Sequence, residues 1–363
     1  MIRKIVLFTL ALLLLLAAGL MTALLIFRHP TPAVFQQATT DRPIRLPQDE
    51  AAHFDVRAEW WYYTGFLNGS EGQEYGFELV FFKAYASPQM RIGGVLPITW
   101  ISNPLYFAHF AVSDQAARKH TFFERSNFPR FWEAGARADR YQVWNGDWRA
   151  WGGSGTHHLQ AAAGPYELQL DLEAARPAVW QSPQGVEDMG QAGTSYYYSY
   201  TDLRGHGLFS VNGQPQTVTA TAWMDHQWGS WQMHNGFAGW DWFSLRLDDD
   251  RQVMLFLFRD DEGNALPESG GTWIAADGQT RFLHLDDYTI EALDFWTSPE
   301  TGAVYPIRWH ILLPDEGLDL TVAATFPEQE MTIQLGPIYW EGSVTIEGTA
   351  SGKGYVELTG YAP

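Results

Sequence analysis

Apolar positions along this chain fall into three regimes. The first is an unbroken apolar run from Ile5 to Phe27, preceded by Arg3 and Lys4. At about 1.5 Å per residue, a helix of that length crosses a bilayer core of about 30 Å. The positive residues before it place the N terminus in the cytoplasm and the rest outside. A cleaved signal peptide is the alternative, although its apolar region ordinarily runs to only about 7–15 residues. Next, Pro30, Pro32, Pro43 and Pro47 mark Arg28 to Glu50 as an extended tether. From Glu59 onward the period becomes two.

That period predicts strands. Glu59 to Leu67 is dense in strand formers, Asn68-Gly69-Ser70-Glu71-Gly72 supplies a turn, and Tyr75 to Tyr85 returns as a hairpin. Strand patterns recur at Tyr106 to Val112, at the strictly alternating Tyr166 to Leu172, at Tyr196 to Tyr200 and at Gln216 to Trp223. After Asn235 the chain restarts with a second hairpin, Trp240 to Leu247 and Gln252 to Arg259, turning at Asp248-Asp249-Asp250. Gly271 to Ala275, Leu318 to Ala324, Met331 to Gln334, Gly342 to Ile346 and Tyr355 to Thr359 continue it. Helical signal is scarce, at Ser113 to His120 and Phe131 to Arg140. Many short strands with Gly, Asp and Asn turns predict an all-β chain of two antiparallel sandwiches or barrels. The expected division is a membrane helix over 1–28, a tether over 29–52, a first β domain over 53–235 and a second over 236–363.

Charge sharpens that division. The formal net charge is −19, and from Gly236 onward 22 acids face 6 bases, so the second half carries most of it. An acidic surface excludes nucleic acid and disfavours anionic lipid as partners of the β region. Cysteine is absent, which removes disulfides, a thiol nucleophile, iron–sulfur clusters and a lipidated cysteine. With 17 tryptophans and 15% aromatic residues there is ample material for a core.

Candidate chemistry concentrates in Trp223-Met224-Asp225-His226-Gln227-Trp228-Gly229-Ser230-Trp231, where an acid and an imidazole stand among indoles. Aromatic walls lower the local dielectric and move such groups toward neutral pH, while indole faces tolerate a carbocation. The alternative is an Asp225–His226 pair that merely locks a corner. Glu59 reads as a strand-end acid paired with a residue such as Arg57, and Trp60 and Trp61 point to opposite faces of their strand. His157 and His158 likewise face apart, so no metal centre is expected there. Tyr196, Tyr197, Tyr198 and Tyr200 read as a strand with hydroxyls reaching water, one face of which is able to lend a phenol to a pocket. No phosphate loop, zinc-protease helix or serine-hydrolase elbow is present.

Three strings together resemble the carotenoid 1,2-hydratase (hydroxyneurosporene synthase) and AttH-like family. They are Glu59-Trp60-Trp61-Tyr62-Tyr63-Thr64-Gly65, Trp223 to Gly229, and Gly354-Tyr355-Val356-Glu357-Leu358-Thr359-Gly360-Tyr361. The resemblance implies two packed lipocalin-like (calycin) barrels and functional roles for His226 and Trp228, with Asp241 the nearest candidate for a downstream family acid. It also implies cofactor-free chemistry on greasy substrates: hydration of a double bond, cyclisation or, for many exported members, an unassigned hydrolase activity. The expected catalytic residues are Asp225, His226 and Asp241, and the expected pocket residues Glu59, Trp60, Tyr62, Tyr198, Trp223, Trp228 and Trp240, with no metal or cofactor. Such a protein would sit on the periplasmic side of a bacterial inner membrane, held by its N-terminal helix, or be secreted after cleavage. Its partner would be a small hydrophobic molecule or lipid, converted at the junction of the two halves or carried unaltered.

Overall fold

The computed structural model describes residues 31–362 except 88, 93, 102, 128–132, 232–235 and 335, together with 9, 11–16, 18 and 19. The expected membrane run lies largely outside the described residues. Among those described, no helix is long and apolar enough to cross a membrane.

Two curled antiparallel sheets make up most of the described molecule, beside a small two-stranded sheet of Arg91–Ile92 and Leu96–Pro97. Thirteen strands between Ala58 and Gly229 form a near-barrel, and ten between Gly239 and Thr359 form a half-barrel. The changeover lies between the strands Gln214–Gly229 and Gly239–Leu247. Alternation builds the outer wall. In Tyr166–Ala174, Tyr166, Leu168, Leu170 and Leu172 are buried while Glu167, Gln169 and Asp171 are exposed. The strand Gln214–Gly229 behaves differently along its length. It alternates at first, then is buried on both faces from Ala222 to Gly229. A strand buried on both faces has a layer on each side, and here the second layer is the other sheet.

The near-barrel closes through side chains. Arg125, on the edge strand Lys119–Asn127, donates to the Ala162 carbonyl at 3.1 Å and stacks over the Trp148 ring at 4.3 Å. Asn145 answers from the opposite edge region, donating to the Tyr106 and Arg125 carbonyls. The proline-rich segment is extended but not free. Ala38 and Ile44 are buried in the first core, and the Glu50 carboxylate accepts the Ser154 N–H and the Tyr200 hydroxyl.

Both expected helices are corrected. Residues 113–120 close a hairpin between Leu105–Asp114 and Lys119–Asn127, where the Asp114 carboxylate accepts the Ala117 N–H and pins the turn. Within 131–140, Ala134–Ala136 is a short strand paired with Val143 to Asn145, and residues 131 and 132 lie outside the described set. In both places strand pairing outweighs local helix preference. The segment Met331 to Gln334 contributes strand only over Glu330–Met331. The other strands predicted above are present, those at Leu318–Ala324 and Gly352–Thr359 among them.

Candidate active site

The central hairpin strand Ala58–Gly69 pairs with Gln214–Gly229 so that Trp61 lies opposite His226 and Tyr62 opposite Asp225. Successive side chains on a strand leave by opposite faces. Asp225 and His226, adjacent in sequence, therefore enter different compartments. His226 turns into the near-barrel with Trp61 and Trp228; Asp225 turns toward the half-barrel with Trp223.

Inside the near-barrel a four-residue network forms around Glu59. Its Oε1 accepts His53 Nδ1 at 2.8 Å and His226 Nε2 at 2.9 Å, and Lys83 Nζ lies 2.9 Å from its Oε2. Glu59 and Lys83 are cross-strand partners, both 0% exposed. Burial alone would raise the Glu59 carboxyl, but the Lys83 ammonium, then His53 and His226, hold it far below the usual carboxylate range. Burial pulls His226 down to about 4 against the attraction of Glu59, so its imidazole is neutral. It gives its Nε2 hydrogen to Glu59 and accepts the Tyr198 hydroxyl at Nδ1, 3.1 Å away. His53 stacks on Trp228 with ring centroids 4.2 Å apart, and its Nε2 lies 3.4 Å from an Asp49 oxygen. Glu59, His53 and His226 bring ligand-type atoms within 4.8 Å of one another, the grouping a metal uses. The set does not fit an added cation, because Lys83 already supplies the countercharge and both imidazoles spend a nitrogen on Glu59.

On the other face, between the sheets, lies a cavity of about 290 Å³. Trp60, Trp231, Trp240 and Trp242 are among its walls, and Asp225, Glu187, Glu357 and His109 among its ionisable groups. Burial pushes Asp225 up to about 7, opposed by hydrogen bonds from the Ser199 hydroxyl, from Tyr197 at 2.7 Å and from Trp223 Nε1 at 2.6 Å. Glu357 is also raised to about 7, by burial and by Asp225, and only Trp240 Nε1 opposes this, at 2.9 Å from Oε1. Glu187 rises to about 8 by burial.

Two more acids back this wall. Tyr62 donates to Glu341 at 2.8 Å and Tyr339 to Glu78 at 3.1 Å. Burial first lifts both well above the carboxylate range, joined by repulsion from Glu357 at Glu78 and from Glu78 and Glu357 at Glu341. Glu341 and Glu357 are cross-strand partners, an arrangement that penalises two like charges. Gly76 lets the Tyr355 hydroxyl come close to this group, since a Cβ there would collide with it. Burial lowers His109 to about 3, so it is neutral; its Nδ1 is 2.7 Å from the Tyr339 hydroxyl, and its Nε2 has no partner among the described residues.

The expected site residues thus separate into three places. Asp225, Trp60, Tyr62 and Trp240 line the cavity, and Trp223 lies behind Asp225 as its hydrogen-bond donor. His226, Trp228, Tyr198 and the Glu59 carboxylate belong to the near-barrel network, although Glu59 also touches the cavity boundary. Asp241 faces into the half-barrel, bound to Arg259 at 2.9 Å and to the Tyr361 hydroxyl. The expected partner of Glu59 was Arg57; the partner is Lys83, because the hairpin register places them opposite each other. The tyrosine hydroxyls expected to reach water are buried, Tyr197 and Tyr198 among them, because a second sheet covers one face and the barrel interior the other.

Sequence reasoning missed Glu78, Glu341, Glu187 and His109, and read Glu357 only as part of a motif. A signal was present. Glu78 in Gly76-Phe77-Glu78-Leu79-Val80 and Glu341 in Tyr339-Trp340-Glu341-Gly342 are acids set between apolar neighbours, where an ionised carboxylate is costly to bury.

Comparison with known proteins agrees with this architecture. The model of the AttH-like family matches residues 37–361. A candidate AttH protein from Nitrosomonas europaea has a solved structure similar to this chain, with a TM-score of 0.81 and 29% identity over 91% of this chain and 100% of that one. Kievitone hydratase from Nectria haematococca matches with a TM-score of 0.68 and 13% identity, covering 92% and 98%. CghA matches at 0.53 and 11%, covering 93% and 96%. The last two likenesses concern the fold. Among proteins of curated function, none matches the sequence.

Proposed function

The chain belongs to the AttH-like family, and on that premise we propose that it is an enzyme acting on a hydrophobic, isoprenoid- or polyketide-like substrate in the cavity between its sheets. The reaction is acid-assisted addition of water to a double bond, or its rearrangement. One observation carries this reading: two cavity-lining carboxyls, Asp225 and Glu357, are both raised to about 7 among indole walls. A carboxylic acid that keeps its proton near neutral pH is a general acid matched to that pH.

Glu357 is the better donor, since one hydrogen bond opposes its protonation where three oppose that of Asp225. Its proton passes to one alkene carbon, leaving a carboxylate and a carbocation that the faces of Trp60, Trp240 and Trp242 stabilise. Water then adds to the cation and returns a proton to the carboxylate, a net addition of H₂O. His109 is suited to hold that water, because a buried nitrogen without a partner is where an ordered water belongs. Without water capture, loss of a neighbouring proton gives the isomer. The kinship of fold with kievitone hydratase supports this class of reaction as an analogy. The apolar N-terminal run supports placement on the periplasmic side of a membrane.

The test is incubation of the protein with a panel of isoprenoid and polyketide-like alkenes in D₂O, followed by mass spectrometry. Hydration adds one D₂O, as a C–D bond and an O–D bond, and isomerisation exchanges one hydrogen for deuterium. Turnover is expected to fall as pH rises through about 7, where Asp225 and Glu357 lose their protons. Asp225→Asn and Glu357→Gln, folded by circular dichroism, are expected to lose about 10²–10⁴-fold in rate. Wild-type rates in both would overturn the assignment.

A second reading is a carrier that holds a greasy ligand unaltered. It is favoured by the three donors clamping Asp225, a pattern suited to a structural carboxylate. Recovery of an unchanged ligand by native mass spectrometry, with no product from the panel, would select it.

A further inference from the structure

Among the described residues, the cavity carries acceptors and acids but no available positive charge. Of the groups lining it, Lys83 is the one cation among the described residues, and it is spent. Its ammonium pairs with Glu59 at 2.9 Å and donates to the His53 carbonyl, on the face turned away from the second sheet. Arg259, the nearby guanidinium on the half-barrel, is held by Asp241 and by the Thr359 carbonyl. Around Glu357 stand Asp225 from the near-barrel, Glu341 on the neighbouring strand, and Glu78 behind it. The uncharged groups are Trp240, which donates to Glu357, the Tyr62 and Tyr339 phenols bound to Glu341 and Glu78, and neutral His109. Glu357 Oε2 has no hydrogen bond among the described residues. Much of the remaining wall is aromatic, with Trp60 and Trp231 edge to face at 5.0 Å.

We propose that this cavity is a charge filter: it admits amphiphiles that end in a hydroxyl or ammonium group, placing that end at Glu357, and refuses those that end in a carboxylate. A hydroxyl donates a hydrogen bond to the open oxygen of Glu357. An ammonium pairs with the ionised carboxylate and lies against indole faces, which attract cations. A carboxylate brings a buried negative charge to a place with no countercharge, next to acids that already repel one another, and such burial is strongly unfavourable. The filter shares its cavity with the proposed function and names the substrate class that the cavity accepts.

Three ligands with one tail separate the cases: decanol, decylammonium and decanoate, titrated below their aggregation limits and followed by tryptophan fluorescence at pH 6 and pH 8. Decanoate is expected to bind at least about tenfold more weakly than decanol at both pH values. Decylammonium affinity is expected to rise about tenfold from pH 6 to pH 8, because a carboxyl titrating at about 7 is mostly protonated at the lower value. Decanol affinity stays nearly level. In Glu357→Gln the ammonium keeps only the weaker pH response supplied by Asp225 and Glu187, raised to about 7 and about 8 in the same cavity, while decanol still binds. Decanoate binding as tightly as decanol to the wild-type protein overturns the proposal, and that comparison needs no variant. So does an ammonium pH response that is undiminished in Glu357→Gln. A protein that filters charge in this way but converts no alkene breaks the enzyme reading alone; one that hydrates alkenes but welcomes decanoate breaks the filter alone.

Discussion

Two groups of buried ionisable residues lie on opposite faces of the sheet containing Ala58–Gly69 and Gln214–Gly229, the second completed by Glu341 and Glu357 from the facing sheet. On the near-barrel side, Glu59 is matched by Lys83 and both imidazoles are hydrogen-bonded to it. On the junction side, Glu78, Asp225, Glu341 and Glu357 gather with no facing cation among the described residues, and Glu78 Oε2 and Glu341 Oε2 lack any hydrogen bond. The same physical cost, burial of charge, is met in two ways: by pairing on one side and by keeping protons on the other. A paired site is finished once folded. A site that stores protons beside an open aromatic cavity has something to give a ligand.

The contrast extends to pH, with opposite signs. Glu59 is depressed in the folded state, so its contribution is present above the unfolded carboxyl value and is lost as the solution is acidified. The junction acids are raised, so the folded state binds their protons more tightly than the unfolded chain does. Their contribution is present in acid and is lost as pH climbs toward about 7 and beyond.

The largest expected effect comes from unbalancing the balanced side. Lys83→Met strands the Glu59 carboxylate in the core and should cost about 3–5 kcal/mol in urea unfolding at pH 7.5. A loss below about 1 kcal/mol would mean that the pair is not the near-barrel's electrostatic anchor. A smaller effect of opposite sense is expected across the sheet. Glu341→Gln imitates the protonated acid, so it should match wild type at pH 5 and be about 1–3 kcal/mol more stable at pH 9. Equal stability at both pH values would show that Glu341 does not hold its proton. The smallest effect is diagnostic of the division itself. His226→Gln should cost about 1–2 kcal/mol of stability and leave turnover of any identified substrate within about threefold. A loss of turnover as deep as that of Asp225→Asn would place both residues in one site after all.

Much of the framework was legible from alternation. The hairpin from Glu59 to Tyr85, the second from Trp240 to Arg259, and the long strand ending in Trp228 all lie where period two places them. Opposite facing of Trp60 and Trp61, and of buried His157 and more exposed His158, follows from the same rule. That rule, applied to Asp225 and His226, separates them, whereas their adjacency in the chain and among indoles suggests a pair. Partners distant in the chain were not legible. Lys83 opposite Glu59 depends on a one-residue choice of register, and the meeting of Glu78 with Glu341 depends on how two sheets pack, which no local pattern encodes.

The two-faced strand also has a consequence for descent. Along Met224 to Trp228, even-numbered positions answer to the near-barrel network and odd-numbered ones to the cavity. Substitutions that retune the ligand can therefore accumulate at alternate codons without disturbing the anchor beneath them. A single inserted residue has no such freedom. It exchanges the two sets at once, delivering an acid to a place already balanced and an imidazole to a place built around protons, so lineages of this fold can drift by replacement here but not by insertion of one.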